Sequence, residues 1–237
     1  MEGRLVEQTR MRLGIARRMT QSKQEVPHFY AQTEVVVDEV QRGLTELNDE
    51  GVAPRVTMTA VLARACAAAL TEHGRFNAVW TPEGLLEVEE VNLGIAVGLD
   101  EGLVAPALLS AQSLDLVQTA AAVGDLVERA RSQRLRPAEL SEATFTLSNL
   151  GMFDVTAFTA IVTPPQVAIM ATGRPVARWI DGDDGPVRAS VLTATLSCDH
   201  RAVDGVDAAR FLGTFKQAIE DTDALFPSAG DLKEAMS

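Results

Sequence analysis

The chain has 237 residues, 46% hydrophobic and 23% charged, which is the balance of an ordinary globular protein long enough to bury a real core. A formal net charge of −12 argues against nucleic acid and anionic membrane as partners, although Arg4, Arg10, Arg12, Arg17, Arg18 and Lys23 form a local basic stretch. Cys66, Cys198 and three scattered histidines give neither a disulfide framework nor metal-ligand spacing, so no metal is expected.

The longest apolar run, around residues 60–70, is interrupted by Arg64 and is too short to span a bilayer. No apolar secretory segment follows the first arginines, so a cytoplasmic location is the default expectation.

Residues 10–22 read as a short amphipathic helix, with Met11, Ile15 and Met19 spaced by four. Val26-Pro27 breaks it, because the residue before proline avoids the helical region. Residues 28–37 alternate as a strand, placing Phe29, Ala31, Thr33, Val35 and Val37 on one face. Asp38 is the expected N-cap of a helix over 39–48 that Gly51 ends. Thr57-Met58-Thr59 leads into a strong helix over 60–73, closed by Gly74.

Residues 76–106 hold several short strand-like runs. Ser113 is the expected cap of an alanine-rich helix reaching residue 132, and Pro137 marks the next turn. Beyond residue 140 the chain becomes strand-like. ATFTLSNL alternates, QVAIMATG is a buried run, and DGDDG at 181–185 predicts a hairpin turn before the long strand ASVLTATLSCD. Asp204-Gly205 then opens a helix over 206–220. Strands and helices mix without strict alternation, so the expected fold is α/β, a mixed sheet flanked by helices in a single domain. Residues 227–237 read as a frayed or interface-forming tail.

The densest polar cluster is CDHRAVDG, residues 198–205, where an apolar strand ends and a helix begins. Loops at the ends of rigid strands often carry catalysis. His200 has the chemistry of a general base near neutral pH, and Asp199 or Asp204 could fix its ring or hold the loop. The same spacing equally suits a strand-end ion-pair cluster. In FTLSNLG, residues 145–151, Ser148 and Asn149 end a strand before a glycine; a hydroxyl there can donate to an oxyanion, or the segment is simply a turn. Ser148 as nucleophile lacks a Gly-x-Ser-x-Gly elbow. Cys198 shares a strand face with His200 and is a rival nucleophile or a packing residue. His28 reads as structural or pocket-lining, and His73 as a helix C-terminal cap.

HRAVDG, residues 200–205, preceded by Asp199, matches the DHRxxDG signature of dihydrolipoamide acyltransferases and the HxxxDG signature of the wider chloramphenicol acetyltransferase superfamily. RRMTQSKQEVPHFY (17–30), NLGIAVGLDEGLVAPAL (92–108), TFTLSNLGMF (144–153) and FTAIVTPPQVAIMATG (158–173) are similar to further blocks of that family, in the family's order. From about residue 8 to 225 the chain resembles the catalytic domain of the dihydrolipoamide acyltransferases of 2-oxo acid dehydrogenase complexes.

That resemblance implies a chloramphenicol acetyltransferase-like fold and acyl transfer between coenzyme A and the thiol of dihydrolipoyl. His200 would be the general base, Ser148 the oxyanion donor and Asp204 the residue holding the loop, paired with an N-terminal arginine for which Arg18 is the candidate. Ser148, Asn149 and Thr57 lie in segments that in relatives approach the coenzyme. The family forms homotrimers, with His200 then facing Ser148 of a neighbouring subunit, and builds 24-mer or 60-mer cores. Implied partners are a lipoyl domain, a 2-oxo acid decarboxylase and dihydrolipoamide dehydrogenase.

The whole of 1–237 is expected to be acyltransferase domain, with no lipoyl and no peripheral-subunit-binding domain. The lysines are Lys23, Lys216 and Lys233, none at a hairpin tip, so a lipoyl carrier would be a separate domain or protein. Gly98 stands where relatives often carry an aspartate, and Ala224-Leu225-Phe226 would replace the family's C-terminal anchor between trimers. Two other readings stay open: a stand-alone coenzyme A-dependent acyltransferase acting on a small hydroxyl or amine, and a non-catalytic structural core protein. Acetyl, succinyl and branched-chain donors are all compatible with these residues.

Overall fold

Helix α1 (Arg10–Glu25) starts where the Thr9 hydroxyl accepts a hydrogen bond from the Arg12 amide. It stops at Val26, whose extended backbone is what the following proline demands. The computed structural model describes residues 3–226; the expected tail at 227–237 lies outside them, as does Lys233. Strand β1 (His28–Val36) follows, with the alternation expected of it.

Helix α2 (Asp38–Asp49) corrects one expectation. Its N-cap is Val37, because the Asp38 carboxylate accepts instead from the Ser190 amide at 2.8 Å and ties the helix to a distant strand. Helix α3 (Met58–Glu72) is largely buried. Six short strands come next: β2 (Ala78–Thr81), β3 (Gly84–Glu87), β4 (Leu93–Ile95), β5 (Val97–Leu99), β6 (Gly102–Val104) and β7 (Ala107–Leu108). Helix α4 (Leu116–Arg131) is capped by Asp115 in a reciprocal box with Gln118; Ser113 sits two residues earlier and donates to the Ser110 carbonyl. The turn at Pro137 is a short helix, α5 (Pro137–Ser141), with proline where its missing N–H costs nothing.

Strands β8 (Phe145–Asn149), β9 (Ala168–Thr172), β10 (Val176–Gly182) and β11 (Gly185–Asp199) precede helices α6 (Gly205–Glu220) and α7 (Thr222–Leu225). The main sheet runs β1-β11-β9-β8-β4-β7, with β10 also paired to β11 through the expected hairpin. It is mixed: β8 is parallel to β4 and β9, and the other pairs are antiparallel.

Side-chain alternation gives the sheet two faces. Phe145, Leu147, Met170, Leu192, Leu196 and Cys198 join the main core with α3 and α6. Thr146, Ser148, Thr195 and Ser197 occupy the other face and are nevertheless buried. In the core, Phe211 of α6 meets Phe76 and Phe145 at 4.6 and 5.6 Å between ring centroids. His73 ends α3, but its ring does not cap that helix: Nε2 bonds the Thr214 hydroxyl of α6 at 2.9 Å. Leu225 and Phe226 pack back into this chain's own core, Phe226 lying so close over Gly43 that a Cβ there would meet its ring at 2.6 Å. Both stay partly exposed there, and Ala224 beside them is exposed.

Candidate active site

The long strand β11 ends in a buried charge. Asp199 is 1% exposed, and an unpaired carboxylate at that depth would be very costly. The chain answers locally: the Arg201 amide donates to Asp199 at 3.0 Å, and its guanidinium donates through Nε at 2.9 Å and Nη2 at 2.6 Å. The same guanidinium lies over the Trp80 ring, 4.8 Å from its centroid.

His200 sits at the apex of the turn this pair closes. Its N–H donates to the Pro27 carbonyl at 3.0 Å, and its exposed imidazole packs on the Phe29 ring at 4.6 Å. Among the described residues neither of its ring nitrogens has a hydrogen-bond partner, so both are available to a ligand.

Asp204 closes the turn from the other side as the N-cap of α6, accepting from the Val206 amide at 2.8 Å and the Asp207 amide at 3.0 Å. The amides of Asp207 and Val206 hold its carboxyl below the usual carboxylate range, with lesser help from the charges of His200 and Arg75. Arg75 also pins the turn by donating to the Ala202 carbonyl at 2.8 Å. The pairing expected with Arg18 is not made within the chain: Arg18 lies on the exposed face of α1, and Asp204 is committed to the start of α6.

Ser148 is 8% exposed, near the end of β8. The Asn149 amide donates to the Thr59 hydroxyl at 3.1 Å, and its side-chain oxygen accepts from the Gly151 amide at 2.8 Å. These bonds bring the end of β8 against the start of α3, where Thr57 is exposed and its side chain makes no capping bond. Gly173 lets the chain after β8 pass the end of β9, since a Cβ there would come within 2.1 Å of the Thr156 carbonyl oxygen.

The structure therefore assembles two groups. His200, Asp204, Asp199 and Arg201 share one turn; Ser148 and Asn149 at the end of β8 lie beside the start of α3, which Thr57 precedes. Register keeps them apart. Ser148 aligns with Ala171 and Ala171 with Thr195, five residues before His200 on a strand running the opposite way.

Cys198 is not a reactive thiol: burial, with the Asp199 charge adding, pushes it up to about 12. It faces the core while His200 faces solvent, so the two do not form a dyad. His28 is structural, tied to backbone at both ring nitrogens. Gly98 lies exposed on the β5–β6 hairpin with room for a larger side chain. Sequence reasoning missed Arg75 and Trp80, which carried no motif, and Phe29, whose place in the VPHFY run was the available signal. No cluster of His, Cys, Asp or Glu that could hold a metal occurs among the described residues, and no helix among them is long and apolar enough to cross a membrane.

A sequence model of the 2-oxoacid dehydrogenases acyltransferase (catalytic domain) family matches residues 2–227. The dihydrolipoyllysine-residue acetyltransferase component of the pyruvate dehydrogenase complex of Rickettsia felis is 35% identical over 222 residues, 92% of this chain and 54% of that protein. The chain thus spans about half the length of the curated relatives it matches. The dihydrolipoamide acetyltransferase of Azotobacter vinelandii, solved to probe the roles of a serine, a histidine and an asparagine in its catalytic mechanism, superposes with a TM-score of 0.90 at 30% identity, covering 94% of each chain. The cubic core of the pyruvate dehydrogenase multienzyme complex gives the same TM-score, identity and coverage. A chloramphenicol acetyltransferase, at 13% identity and a TM-score of 0.56 over 89% of this chain and 94% of its own, shares the fold alone. The chain belongs to the family of 2-oxoacid dehydrogenase acyltransferases and carries its catalytic domain.

Proposed function

We propose that this chain is the acyl-transferring core of a 2-oxo acid dehydrogenase complex, moving an acyl group between coenzyme A and the thiol of a dihydrolipoyl group. One observation carries the reading. In the Azotobacter enzyme the serine, histidine and asparagine under study are separated by 52 and then 4 positions, and Ser148, His200 and Asp204 have the same separations.

Each residue has a chemical task it is suited to. The His200 imidazole takes the proton of the attacking thiol. The thiolate adds to the thioester carbonyl, and the Ser148 hydroxyl donates to the resulting oxyanion. Collapse breaks the bond to the departing sulfur, which recovers the proton from His200. Asp204 holds the turn by capping α6 and takes no proton. Thr57, with a hydroxyl not spent on capping, borders the coenzyme side, and Asn149 shapes that side through Thr59 and Gly151.

Because Ser148 and His200 lie far apart in one chain, a complete site needs two chains, which supports a homotrimer with sites between subunits. Such trimers would assemble into a 24-mer or 60-mer core in the cytoplasm. Residues 1–237 then form one acyltransferase domain with its core over 8–225. The lipoyl group arrives on a separate domain or protein, and the partners are a 2-oxo acid decarboxylase and dihydrolipoamide dehydrogenase.

The test is acyl transfer from acetyl-, succinyl- and isobutyryl-coenzyme A to dihydrolipoamide. The expected result is a rate with at least one donor that falls by about 10² to 10⁴ in His200→Ala. A folded protein inactive with every donor would leave a scaffold instead. Acylation of small hydroxyl or amine acceptors in place of dihydrolipoamide would leave a stand-alone acyltransferase.

A further inference from the structure

Val162 lies in the long connection between β8 and β9, outside any strand, and is 0% exposed. A buried peptide must satisfy both its polar groups. Here two side chains from the α1–β1 junction do so: Ser22 Oγ donates to the Val162 carbonyl at 2.6 Å, and His28 Nε2 accepts from the Val162 amide at 3.1 Å. The other ring nitrogen, Nδ1, lies 2.8 Å from the Val26 carbonyl. An amide can only donate and a carbonyl can only accept, so the ring is the neutral tautomer with its hydrogen on Nδ1. Val26 and Val162 complete the clamp by packing together with Ile169 in a small apolar cluster of their own.

The segment held in this way is the seat of the catalytic turn. Pro27 accepts the His200 amide hydrogen at 3.0 Å, and the Phe29 ring packs on the His200 imidazole at 4.6 Å. Both the backbone and the ring of His200 therefore rest on residues flanking His28. Ser22 and His28 both fall in the block RRMTQSKQEVPHFY, which also supplies Pro27 and Phe29.

We propose that His28, with Ser22, is a positioning residue: it fixes the segment under His200, and does so only while its imidazole is neutral. The inference rests on His200 being the general base. Burial lowers the His28 pKa; the Val26 carbonyl opposes this, Lys23 of α1 adds to it, and Asp199 at the end of β11 opposes it. The Tyr30 phenol of β1 also lies beside it, its ring 6.1 Å away, while Arg201 already pairs with Asp199. Protonated at Nε2, the ring would present a donor to a donor and orphan the buried Val162 amide. Because the native pKa lies below the ordinary imidazole value, the clamp is intact above about pH 6.5 and is lost as the pH falls through the native value.

The test uses the assembled protein and kcat and KM measured across pH. His28→Ala should lower kcat by about 10- to 100-fold, with KM for coenzyme A within about twofold, as misplacement of a catalytic group does. His28→Gln can accept from Val162 but cannot titrate, so it should restore kcat to within about threefold of wild type and show a shallower acid limb. A wild-type kcat in His28→Ala, or a wild-type acid limb in His28→Gln, would overturn the proposal. If His28→Ala fails to assemble, the acid limb of His28→Gln decides alone. His200→Ala separates the two ideas. Activity there would sink the role of His200, whereas a dead His200→Ala beside unaltered His28 variants would sink only the positioning role.

Discussion

Ser148 and His200 stand toward opposite ends of the same sheet. Two strand spacings of about 4.8 Å and five residues at about 3.3 Å separate them, which places them on the order of 15 Å apart or more. An oxyanion donor must come within about 3 Å of the reacting oxygen. One chain cannot supply both groups to one substrate.

Complementation follows from that separation. Ser148→Ala should cost about 10² to 10³ in kcat, the usual loss for one oxyanion donor, and His200→Ala should be more severe. Co-assembled at equal ratio, the two variants should recover about a quarter of wild-type activity, because a random cyclic assembly pairs an intact serine with an intact histidine at that frequency. A mixture no more active than the average of its parents would mean that each chain holds a complete site.

Asp204 predicts a split between its substitutions. Asparagine accepts from the same Val206 and Asp207 amides and is among the best N-caps, so Asp204→Asn should keep most of the activity while Asp204→Ala loses it. The sign with pH is set by the lowered carboxyl: its contribution is complete above the ordinary carboxylate range, near pH 4, and is lost as the pH falls through the lower native value. Thermal unfolding should therefore show wild type losing Tm relative to Asp204→Asn in that acid range. Parallel Tm curves would show that the ionised carboxylate adds nothing to the cap.

Cys198 should be chemically silent. Its thiol, pushed up to about 12 and facing the core, should resist iodoacetamide in the native protein at neutral pH and react only on unfolding. Cys198→Ala should keep kcat within about twofold, since acyl transfer as proposed needs no enzyme thiol. Rapid native alkylation with loss of activity would reopen the cysteine as a nucleophile.

What could be read from the sequence was whatever local signals determine. Alternation marked β1 and β8, Val26-Pro27 ended α1, and Asp204-Gly205 opened α6, because each depends on neighbours a few residues away. What was missed depended on residues far along the chain. Asp38 looked like a cap, but Ser190, 152 positions away, claims its carboxylate. Arg75 was invisible because its contact with Ala202 spans 127 positions. Ser113 failed for a different reason, since Asp115 with Gln118 offers a stronger box two residues on. The serine and histidine of the candidate site were found by motif, but their separation is a property of strand order, which spacing does not encode.

The Asp199–Arg201 pair should be the costliest polar interaction to break near the site. Removing the arginine leaves a carboxylate that is 1% exposed without its counter-charge, a change that typically costs about 3 kcal/mol. Arg201→Lys keeps the charge but loses the fork that reaches both carboxylate oxygens and the flat face that stacks on Trp80, so it should recover only part of the loss. Asp199→Asn combined with Arg201→Ala should cost less than the sum of the single changes, because the neutral amide no longer needs a cation. Urea unfolding midpoints of the four proteins at constant pH measure the coupling. Since the pair closes the turn that carries His200, kcat should fall in the same order as stability. Additive losses, or a fully active Arg201→Ala, would show that backbone hydrogen bonds alone hold the turn.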